Sequence, residues 1–466
     1  MSFRYVDLFA GIGGFHAALG ALGGECVYAS EIDEDAARVY RRNWGLQPEG
    51  DITLAANDDV MAVPDHEVLA AGFPCQPFSK SGKQLGMEET RGTLFWNIAK
   101  VIEVRRPPIV LLENVRNLAG PRHSHEWTVI IQTLRSMGYR VSSAPLVVSP
   151  HRIRPEYGGR PQVRDRVLIA ATLSYGTAAH LSMEPASLDL SGVQGGWDPA
   201  RWDLKKHLPL SVPRPGEKVG LVLSDSEAEW VEAWNEFVVL MKRRLGDQPL
   251  PGFPIWADAW VDASALKVPE GTPKWKQTFL EKNADFFTAH RKVLHPWLGR
   301  WNNLEHFPAS RRKLEWQAQD SKDLWSTVLH FRPSGIRAKK PTYVPALVAI
   351  TQTSIIGSQR RRLSVREGTR LQGFPEWFEL LDQADSESFK QLGNAVNVGV
   401  AYNVLRAQVL RDIDLLTGHL GLVRSVLGAV PNPDLALRDR VTLLQSESPS
   451  STQLRWQFDA GLRRAL

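Results

Sequence analysis

The sequence predicts a sharp turn in the stretch AAGFPCQPFS, residues 70–79. The apolar run 68–71 is typical of the end of a short buried strand. Gly72 and the two prolines that flank Cys75 then exclude a strand or helix interior. A lone cysteine is more often a buried structural residue than a reactive one. A strand-end loop flanked by prolines nevertheless favours a presented nucleophile, so Cys75 is the first candidate catalytic residue.

The length and composition of the chain predict a globular protein of two domains. Its 466 residues are 43% hydrophobic and 23% charged, and a chain of this length exceeds what one core usually holds. No apolar stretch is long enough for a membrane span, and the first residues lack the apolar core of a signal peptide. The net charge of +5 is compatible with a polyanionic partner but is too small to indicate one.

Cysteine usage indicates a reducing compartment. Cys26 and Cys75 are the two cysteines of the chain, which are too few for a disulfide scaffold. Neither has the neighbouring ligands of a zinc site. We therefore expect a cytoplasmic protein without a metal centre.

The N-terminal region has the pattern of a nucleotide-binding unit. An apolar strand over 5–9 runs into the glycine turn 10–15 and a helical pattern, which is the order strand, glycine turn, helix. The dinucleotide fingerprint would need a small residue in place of His16, so a pyrophosphate cradle is not indicated. Glu31 follows the second strand and is placed to hold ribose hydroxyls. A helix cap is the alternative for the acidic run 33–35 beside it, and Asp51 lies in a further acidic turn.

Two later motifs carry charged side chains next to apolar strands. Glu113 directly follows the apolar strand 109–112, where partial desolvation would raise its pKa; a capping or salt-bridged glutamate is the alternative. In the run 162–166, Arg164 and Arg166 would point the same way if the backbone is extended. Two guanidinium groups on one face suit an anionic or carbonyl-rich ligand, and a solvated strand face is the alternative.

The character of the chain changes after about residue 175. Most of the tryptophans lie between Trp197 and Trp325, among many prolines and basic residues. Aromatic residues interleaved with cations suit nucleic-acid contact, but a tryptophan-rich core is the more common arrangement. The stretch 332–340 is predicted to be a basic loop that contacts phosphate, or else an exposed solubilising loop.

Taken in chain order, these motifs resemble the DNA (cytosine-5)-methyltransferases. The six matching signatures are the glycine turn Phe9–Gly14, the turn Pro74–Ser79, the triplet Glu113–Val115, the run Gln162–Arg166, the segment Arg362–Pro375 and the segment Gln391–Val396. Ala395 departs mildly from the family, which often has serine there. Each signature alone is weak, but their joint order is hard to reach by chance. The resemblance covers residues 1 to about 175 and about 355 to 412.

The resemblance implies a fold and a cofactor. It implies a Rossmann-like α/β fold, that is, an open twisted sheet typical of S-adenosylmethionine-dependent methyltransferases, with an inserted target-recognition domain. We expect a catalytic and cofactor-binding domain at 1–175, completed by 386–425, a recognition domain at 176–385, and a C-terminal extension of unknown role at 426–466. The cofactor site is assigned to Phe9, Gly11, Gly13, Gly14, Glu31, Ile32, Asp51, Ile52, Pro74, Leu94, Asn394 and Ala395. Glu31 would bind the ribose, Asp51 the adenine amino group, and Ile32 would pack on the adenine face.

The resemblance also implies a reaction. The Cys75 thiolate would add to C6 of a flipped-out cytosine so that C5 can accept the methyl group. Glu113 would act at N3, Arg166 would hold O2, and Arg164 would fix the cysteine loop or the DNA backbone. We expect no metal. DNA contacts are expected from Gln76, Ser79 and Arg91 near the turn, and from Arg337 and Lys339 in the basic stretch.

The function expected from the sequence is therefore methylation of cytosine C5 within a specific double-stranded DNA sequence. A compact chain with one recognition insertion suits the protective methylase of a prokaryotic restriction–modification system. We expect a monomer near the nucleoid, with a separately encoded endonuclease as its counterpart. One alternative is an RNA cytosine-5 methyltransferase. The other is a catalytically silent DNA-binding relative, but the presence of Cys75 and Glu113 argues against it.

Overall fold

A computed structural model describes residues 2–74, 93–174, 184–208, 222–347, 353–380 and 383–438. The chain forms two compact units. The first unit contains residues 1–201 and 368–466, and the second contains residues 202–367. No helix in the described ranges is both long and apolar enough to cross a membrane.

The described strands are short and fall in two stretches of the chain, 3–173 and 255–362. They are β1 (Phe3–Leu8), β2 (Gly24–Ser30), β3 (Val68–Gly72), β4 (Ile109–Val115), β5 (Tyr139–Arg140), β6 (Leu146–Val148), β7 (Gln162–Val163), β8 (Arg166–Leu173), β9 (Ile255–Trp256), β10 (Lys313–Gln317), β11 (Val328–Arg332), β12 (Gly335–Lys339), β13 (Val344–Pro345), β14 (Ile355–Ile356) and β15 (Arg361–Arg362).

The described α-helices range from one turn to seven turns. They are α1 (Gly14–Ala21), α2 (Glu34–Trp44), α3 (Ile52–Ala55), α4 (Leu94–Arg105), α5 (Ser124–Ser136), α6 (Ser191–Gln194), α7 (Leu204–His207), α8 (Asp225–Leu245), α9 (Lys274–Arg300), α10 (Val365–Gln372), α11 (Asp385–Asn394), α12 (Val398–Arg411) and α13 (Leu420–Gly428).

The first unit is built on one open sheet. Within its described residues, strands follow the order β2-β1-β3-β4-β8-β5, and β6 also pairs with β8. Pairing is parallel from β2 through β4 and antiparallel where β8 joins. Residues 68–71 and 109–112 are fully buried, as expected for central strands covered on both faces. Because β1 to β4 are parallel, their carboxyl ends meet at one edge of the sheet.

The C-terminal part of the chain returns to this sheet. Gln408 in α12 donates to the Ala171 carbonyl of β8 at 2.9 Å, and the Thr172 hydroxyl donates to the Asp412 carboxylate at 2.6 Å. Arg160 of the N-terminal part ion-pairs with Asp434 at 2.6 Å. Residues 368–438 are therefore an integral part of the first unit, including the start of the segment 426–466 whose role the sequence left open.

The second unit has a sheet and two long helices around an aromatic core. Its described strands follow the order β15-β14-β11-β12-β10-β9. Trp234 in α8 and Trp297 in α9 are fully buried, and their ring centroids lie 5.5 Å apart. The indole N–H of Trp234 donates to the Arg311 carbonyl, and that of Trp297 to the Ala233 carbonyl. The prediction that most of these tryptophans form a core is confirmed.

The structure gives the limits of the two units and the conformation of the stretch 332–340. The units divide at residues 202 and 368, whereas the predicted recognition domain ran from 176 to 385. The segment before residue 202 is held to the first unit, since the Trp197 indole donates to the His151 carbonyl at 3.0 Å. The predicted basic loop at 332–340 is wrong: β11 and β12 form an antiparallel hairpin in which Arg332 pairs with Gly335.

Candidate active site

A cavity of about 480 Å³ lies at the carboxyl edge of the first unit's sheet. This volume is in the range of small-molecule sites. The predicted site residues that line it are Phe9, Gly11, Glu31, Ile32, Asp51, Ile52, Pro74, Leu94, Glu113, Arg164, Arg166, Asn394 and Ala395. Residues more than 380 positions apart in the sequence thus share one cavity, because parallel strands end on the same side.

The glycine turn after β1 forms one wall of the cavity through its backbone. Phe9 and Gly11 adopt left-handed conformations with φ of 56° and 54°, a region that costs a residue with a side chain some strain. The amide N–H of Gly11 donates to the Glu31 carboxylate at 2.7 Å. The turn is thereby tied to the end of β2, and both segments face the same space.

The acidic end of the cavity combines two carboxylates with an apolar side chain. Burial raises the pKa of Glu31, while N–H groups of Asp33 and Gly11 oppose the shift. Asp51 caps α3 by accepting from the Thr53 N–H at 2.9 Å. Ile32 between them is 71% exposed and lies on the cavity rim. Carboxylate acceptors beside an open apolar face are the groups that would hold ribose hydroxyls and a flat base.

Asp33 performs the capping role that the sequence offered as an alternative for this acidic run. Its carboxylate accepts from the N–H groups of Asp35 and Ala36 at the start of α2, both at 3.1 Å. Glu31, by contrast, faces the cavity. Asp33 is therefore the helix cap, and Glu31 remains the candidate for binding a ligand in the cavity.

Gly13 and Gly14 do not line the cavity, although the resemblance assigned them to the cofactor. A Cβ on Gly13 would lie 2.1 Å from the indole nitrogen of Trp44, and a Cβ on Gly14 would lie 2.2 Å from the Val396 carbonyl oxygen. Both distances are far inside van der Waals contact. These glycines are required for close packing of the turn against α2 and against the returning chain.

The opposite end of the cavity holds one carboxylate between two guanidinium groups. Arg166 Nε lies 3.0 Å from Glu113 Oε1, and the two side chains are only 19% and 10% exposed. Burial raises the pKa of Glu113, while the charges of Arg164 and Arg166 oppose this shift. A raised pKa makes a carboxyl easier to protonate, and a protonated carboxyl can donate a hydrogen bond or a proton to a ring nitrogen.

Arg164 links this charged end to the returning chain. It is fully buried, and its Nη2 donates to the Ala395 carbonyl at 2.7 Å. Burial and the neighbouring Arg166 lower its pKa to about 9, so the group is still cationic at neutral pH. Arg164 therefore holds the wall of the cavity formed by Ala395 against the strand that carries Arg166.

The structure describes only the start of the stretch that contains Cys75, up to Pro74. Strand β3 ends at Gly72, which pairs with Glu113 of β4. Asn114 then donates to the Phe73 carbonyl at 2.8 Å and is buried. Cys75 follows Pro74 by one residue, but Cys75, Gln76, Ser79 and Arg91 lie outside the described residues.

Several contacts of the site were not foreseen from the sequence. Asn114 anchors the start of the cysteine turn, and the Glu-Asn-Val triplet could have indicated it. The Trp44 indole donates to the Ile12 carbonyl of the glycine turn at 3.0 Å. Lys390 of α11 ion-pairs with Asp33 at 3.0 Å. The last two join distant segments, and no local sequence signal predicts them.

The two remaining predicted DNA contacts lie in β12 of the second unit. Arg337 is paired with Glu315 at 2.5 Å. Burial and the neighbouring cations Arg337 and Arg332 lower the pKa of Lys339. Both side chains therefore lie on a strand and not in an exposed loop.

An open α/β sheet has a cavity at its carboxyl edge, with carboxylates at one end and a Glu–Arg pair at the other. This is the fold class of the S-adenosylmethionine-dependent methyltransferases. The family model for C-5 cytosine-specific DNA methylases matches residues 3–209 and 222–409. The chain belongs to this family of DNA cytosine-5 methyltransferases, and the family resemblance and fold class expected from the sequence are confirmed.

The relatives of this chain include three type II methyltransferases. The type II methyltransferase M.AluI of Cellulosimicrobium cellulans is 46% identical, over 89% of this chain and 93% of that protein. M.BanI of Aneurinibacillus aneurinilyticus is 28% identical, over 91% and 100%. M.HhaI of Haemophilus parahaemolyticus is 43% identical over 35% of this chain and 47% of its own length. Among solved structures, the S. pombe Dnmt2 methyltransferase covers 89% of this chain and 99% of its own, with 18% identity and a TM-score of 0.42.

Proposed function

We propose that this methyltransferase uses S-adenosylmethionine to methylate C5 of a flipped-out cytosine in a specific double-stranded DNA sequence. The observation that carries the proposal is the pairing of Glu113 with Arg166, beside Arg164, in the same cavity as Glu31 and Asp51. The cavity thus has one end suited to a nucleoside and one end suited to a pyrimidine ring.

The cofactor end fits S-adenosylmethionine by its donor set. Glu31 and Asp51 offer carboxylate oxygens for ribose hydroxyls and for an exocyclic amino group, and exposed Ile32 offers a face for the adenine ring. Pro74, Leu94 and Ala395 extend this wall toward the charged end. Bound there, S-adenosylmethionine would supply an electrophilic methyl group.

Cytosine C5 is a weak nucleophile, so the chain must activate it. Addition of the Cys75 thiolate to C6 forms a sulfur–carbon bond and breaks the ring aromaticity, which gives C5 enamine character. When C5 takes the methyl group, the sulfonium–methyl bond would break and S-adenosylhomocysteine would leave. A base then removes the C5 proton, the sulfur–carbon bond to Cys75 breaks, and the thiolate is released. Atoms and charge balance over the cycle, and Cys75 is regenerated.

Glu113 and Arg166 would stabilise the charge that addition places on the ring. Burial favours the protonated form of Glu113, so this carboxyl can donate to N3. Arg166 lies 3.0 Å from Glu113 and can donate to O2. Arg164, held at the Ala395 carbonyl, would position the cysteine loop.

The substrate and its setting follow from the same chemistry. A base stacked in a duplex cannot present C6 to a thiolate, so the target must be flipped out. We infer double-stranded DNA contacts from Gln76, Ser79, Arg91, Arg337 and Lys339. Because M.AluI, M.BanI and M.HhaI are type II methyltransferases, we also infer a protective role beside a separately encoded endonuclease. A monomer working at the nucleoid of a prokaryotic cytoplasm fits this role.

Covalent trapping tests the central step. DNA containing 5-fluorocytosine should give a stable adduct, because fluorine at C5 blocks the final elimination. We expect the adduct with the wild-type enzyme and S-adenosylmethionine, and mass spectrometry should map it to Cys75. Cys26→Ser is the matched control: burial and the neighbouring Asp7 raise the Cys26 pKa to about 12, so its thiol is no nucleophile.

The proposal fails if no adduct forms under methylating conditions or if the adduct maps to another residue. Bisulfite sequencing of DNA from cells that express the chain would give the modified base and its sequence context. Methylation of transfer RNA in place of DNA would favour the RNA alternative, and no methylation of either would favour a silent relative.

A further inference from the structure

The sheet of the second unit has one apolar and one charged face. Burial alternates along β10 and over the last four residues of β11 and of β12. The inward residues, among them Leu314, Phe331 and Ile336, belong to the aromatic core. The partly buried charged residues are Lys313, Glu315, Arg332, Arg337 and Lys339. Four cations and one carboxylate on adjacent strands form a positively charged surface, which we call the cationic sheet face.

Arg337 is fixed at the centre of this face. Its Nε donates to Glu315 Oε2 at 2.6 Å, and its Nη2 lies 2.5 Å from the same oxygen. β10 and β12 pair in parallel with Glu315 directly opposite Arg337. Ser334 donates to the other oxygen, Oε1, at 3.1 Å. The carboxylate is thus held from two sides, and the guanidinium plane cannot rotate freely.

This arrangement uses one edge of the guanidinium and leaves another available. Nε and one N–H of Nη2 are directed at Glu315, while Nη1 and the second N–H of Nη2 form the far edge. Among the residues that the structure describes, no group bonds to Nη1 of Arg337. Its side chain is 27% exposed and that of Glu315 only 13%. A rigid pair of parallel donors therefore faces out from the sheet.

The charge of the pair decides what it would recognise. Glu315 neutralises Arg337, so the pair adds little attraction for phosphate, where net charge dominates. Two donors in a fixed plane match the O6 and N7 acceptors of guanine in the major groove. Arg332 and Lys339 nearby are the cations that can contact phosphate, and their closeness to one another contributes to the lowered pKa of Lys339.

We infer that Arg337, oriented by Glu315, reads a guanine in the recognition sequence, whereas Lys339 contacts the backbone. This inference deepens the proposed function and rests on it. A phosphate contact by Arg337 and a purely structural ion pair are the competing outcomes of the test.

The test combines base analogues with variants. Bisulfite sequencing first identifies the methylated site, and each guanine in a duplex of that site is then replaced by 7-deazaguanine, which lacks N7. For Arg337→Ala we expect kcat/KM to fall about tenfold to a hundredfold. For the wild-type enzyme, we expect 7-deazaguanine at one position to lower kcat/KM roughly tenfold. For Arg337→Ala, the same analogue should not lower kcat/KM any further.

Salt dependence separates base reading from phosphate contact. Lys339→Ala should weaken DNA binding at all sequences and reduce the slope of log Kd against log salt by about one. Arg337→Ala alone would leave the carboxylate of Glu315 without its partner, so the double variant Glu315→Ala/Arg337→Ala is used for this comparison. It removes the pair without changing the net charge and should leave the slope nearly unchanged. Arg337→Lys retains the charge without the planar guanidinium group, so its kcat/KM should also be insensitive to 7-deazaguanine.

Arg300→Ala is the matched control, because Arg300 makes a comparable ion pair with Glu236 at 2.6 Å on the helices of the same unit. Arg300→Ala should keep the wild-type sensitivity to 7-deazaguanine and the wild-type slope of log Kd against log salt. The inference is overturned if the Arg337 variants and every analogue act additively, if the double variant Glu315→Ala/Arg337→Ala changes the salt slope as Lys339→Ala does, or if no Arg337 variant affects kcat/KM. A wild-type enzyme that methylates no DNA would instead remove the proposed function.

Discussion

In the first unit, the charged side chains of the site lie at or next to the ends of strands, whereas in the second unit they lie along one face of a sheet. Glu31 and Glu113 each lie at the carboxyl edge of a parallel sheet, where buried backbone meets a cavity. Arg337 and Glu315 instead alternate with core residues along adjacent strands. A strand end suits a concave site for a small molecule or a single base, while a strand face suits an extended polyanion.

The two units also differ in how their polar groups are desolvated. Burial is the largest cause of the raised pKa of Glu31 and of Glu113, which is typical of reaction sites. In the second unit, the ion pair of Arg337 with Glu315 keeps part of its surface in water. Variants in the first unit should therefore affect rate, and variants in the second should affect stability or sequence discrimination.

The largest effect is expected from Cys75→Ser. A hydroxyl is a far weaker nucleophile than a thiolate, so turnover should fall by more than about 10⁴-fold. Binding of S-adenosylmethionine, measured by calorimetry, should be unchanged, because Glu31 and Asp51 form the acidic end of the cavity. Cys26→Ser should retain full turnover. Appreciable turnover of Cys75→Ser would remove this residue from its proposed role.

Glu113→Gln should have the next largest effect. The amide keeps the shape of the side chain and can still contact Arg166, but it cannot deliver a proton to the ring. We expect kcat to fall by about 10² to 10⁴ while DNA affinity changes little. Single-turnover methylation and a binding titration measure the two quantities separately.

Glu126→Gln is the control for that experiment, since Glu126 is buried in α5 of the same unit but does not line the cavity. An equal loss of rate in both variants would mean that Glu113 acts through folding alone. An unchanged rate in Glu113→Gln would contradict its part in the reaction.

In the second unit, Trp234→Ala should lower the free energy of unfolding by about 3–5 kcal/mol, because it leaves a large cavity in the aromatic core. The indole also loses its bond to the Arg311 carbonyl. Urea denaturation followed by circular dichroism measures the change. Trp275→Ala is the matched control: Trp275 is 61% exposed, and its loss should cost less than about 0.5 kcal/mol. Equal shifts would contradict a core role for Trp234.

These expectations show which parts of the molecule could be predicted from the sequence. Glu31 and Glu113 could be placed in one site because each follows an apolar strand, and parallel strands align their ends. The role of Gly14 could not be predicted, because the Val396 carbonyl that excludes its side chain comes from a segment 382 positions later in the chain.

The strands of the second unit were missed for a related reason. The stretch 332–340 contains prominent basic residues and a glycine, which are typical of loops, and its apolar alternation is short. Its strand is stabilised by a parallel neighbour, since Ile336 pairs with Leu314. Such distant pairing leaves no local signal. The division of the chain at residue 202 also has no local signal, because side-chain contacts between distant segments, such as that of Trp197 with His151, contribute to it.

The smallest effect is expected from Trp44→Phe in the first unit. Phenylalanine keeps the stack on His16, whose ring lies 4.5 Å away, but loses the hydrogen bond to Ile12 that supports the glycine turn. A lost hydrogen bond of about 1 kcal/mol should raise the Kd for S-adenosylmethionine about fivefold, with kcat unchanged at saturating cofactor. Trp377→Phe is the control, because Trp377 contacts the edge of Trp44 without bonding to the turn. If both variants weaken cofactor binding equally, or if kcat falls instead of affinity, Trp44 acts through general packing, and the glycine turn is held by its own backbone.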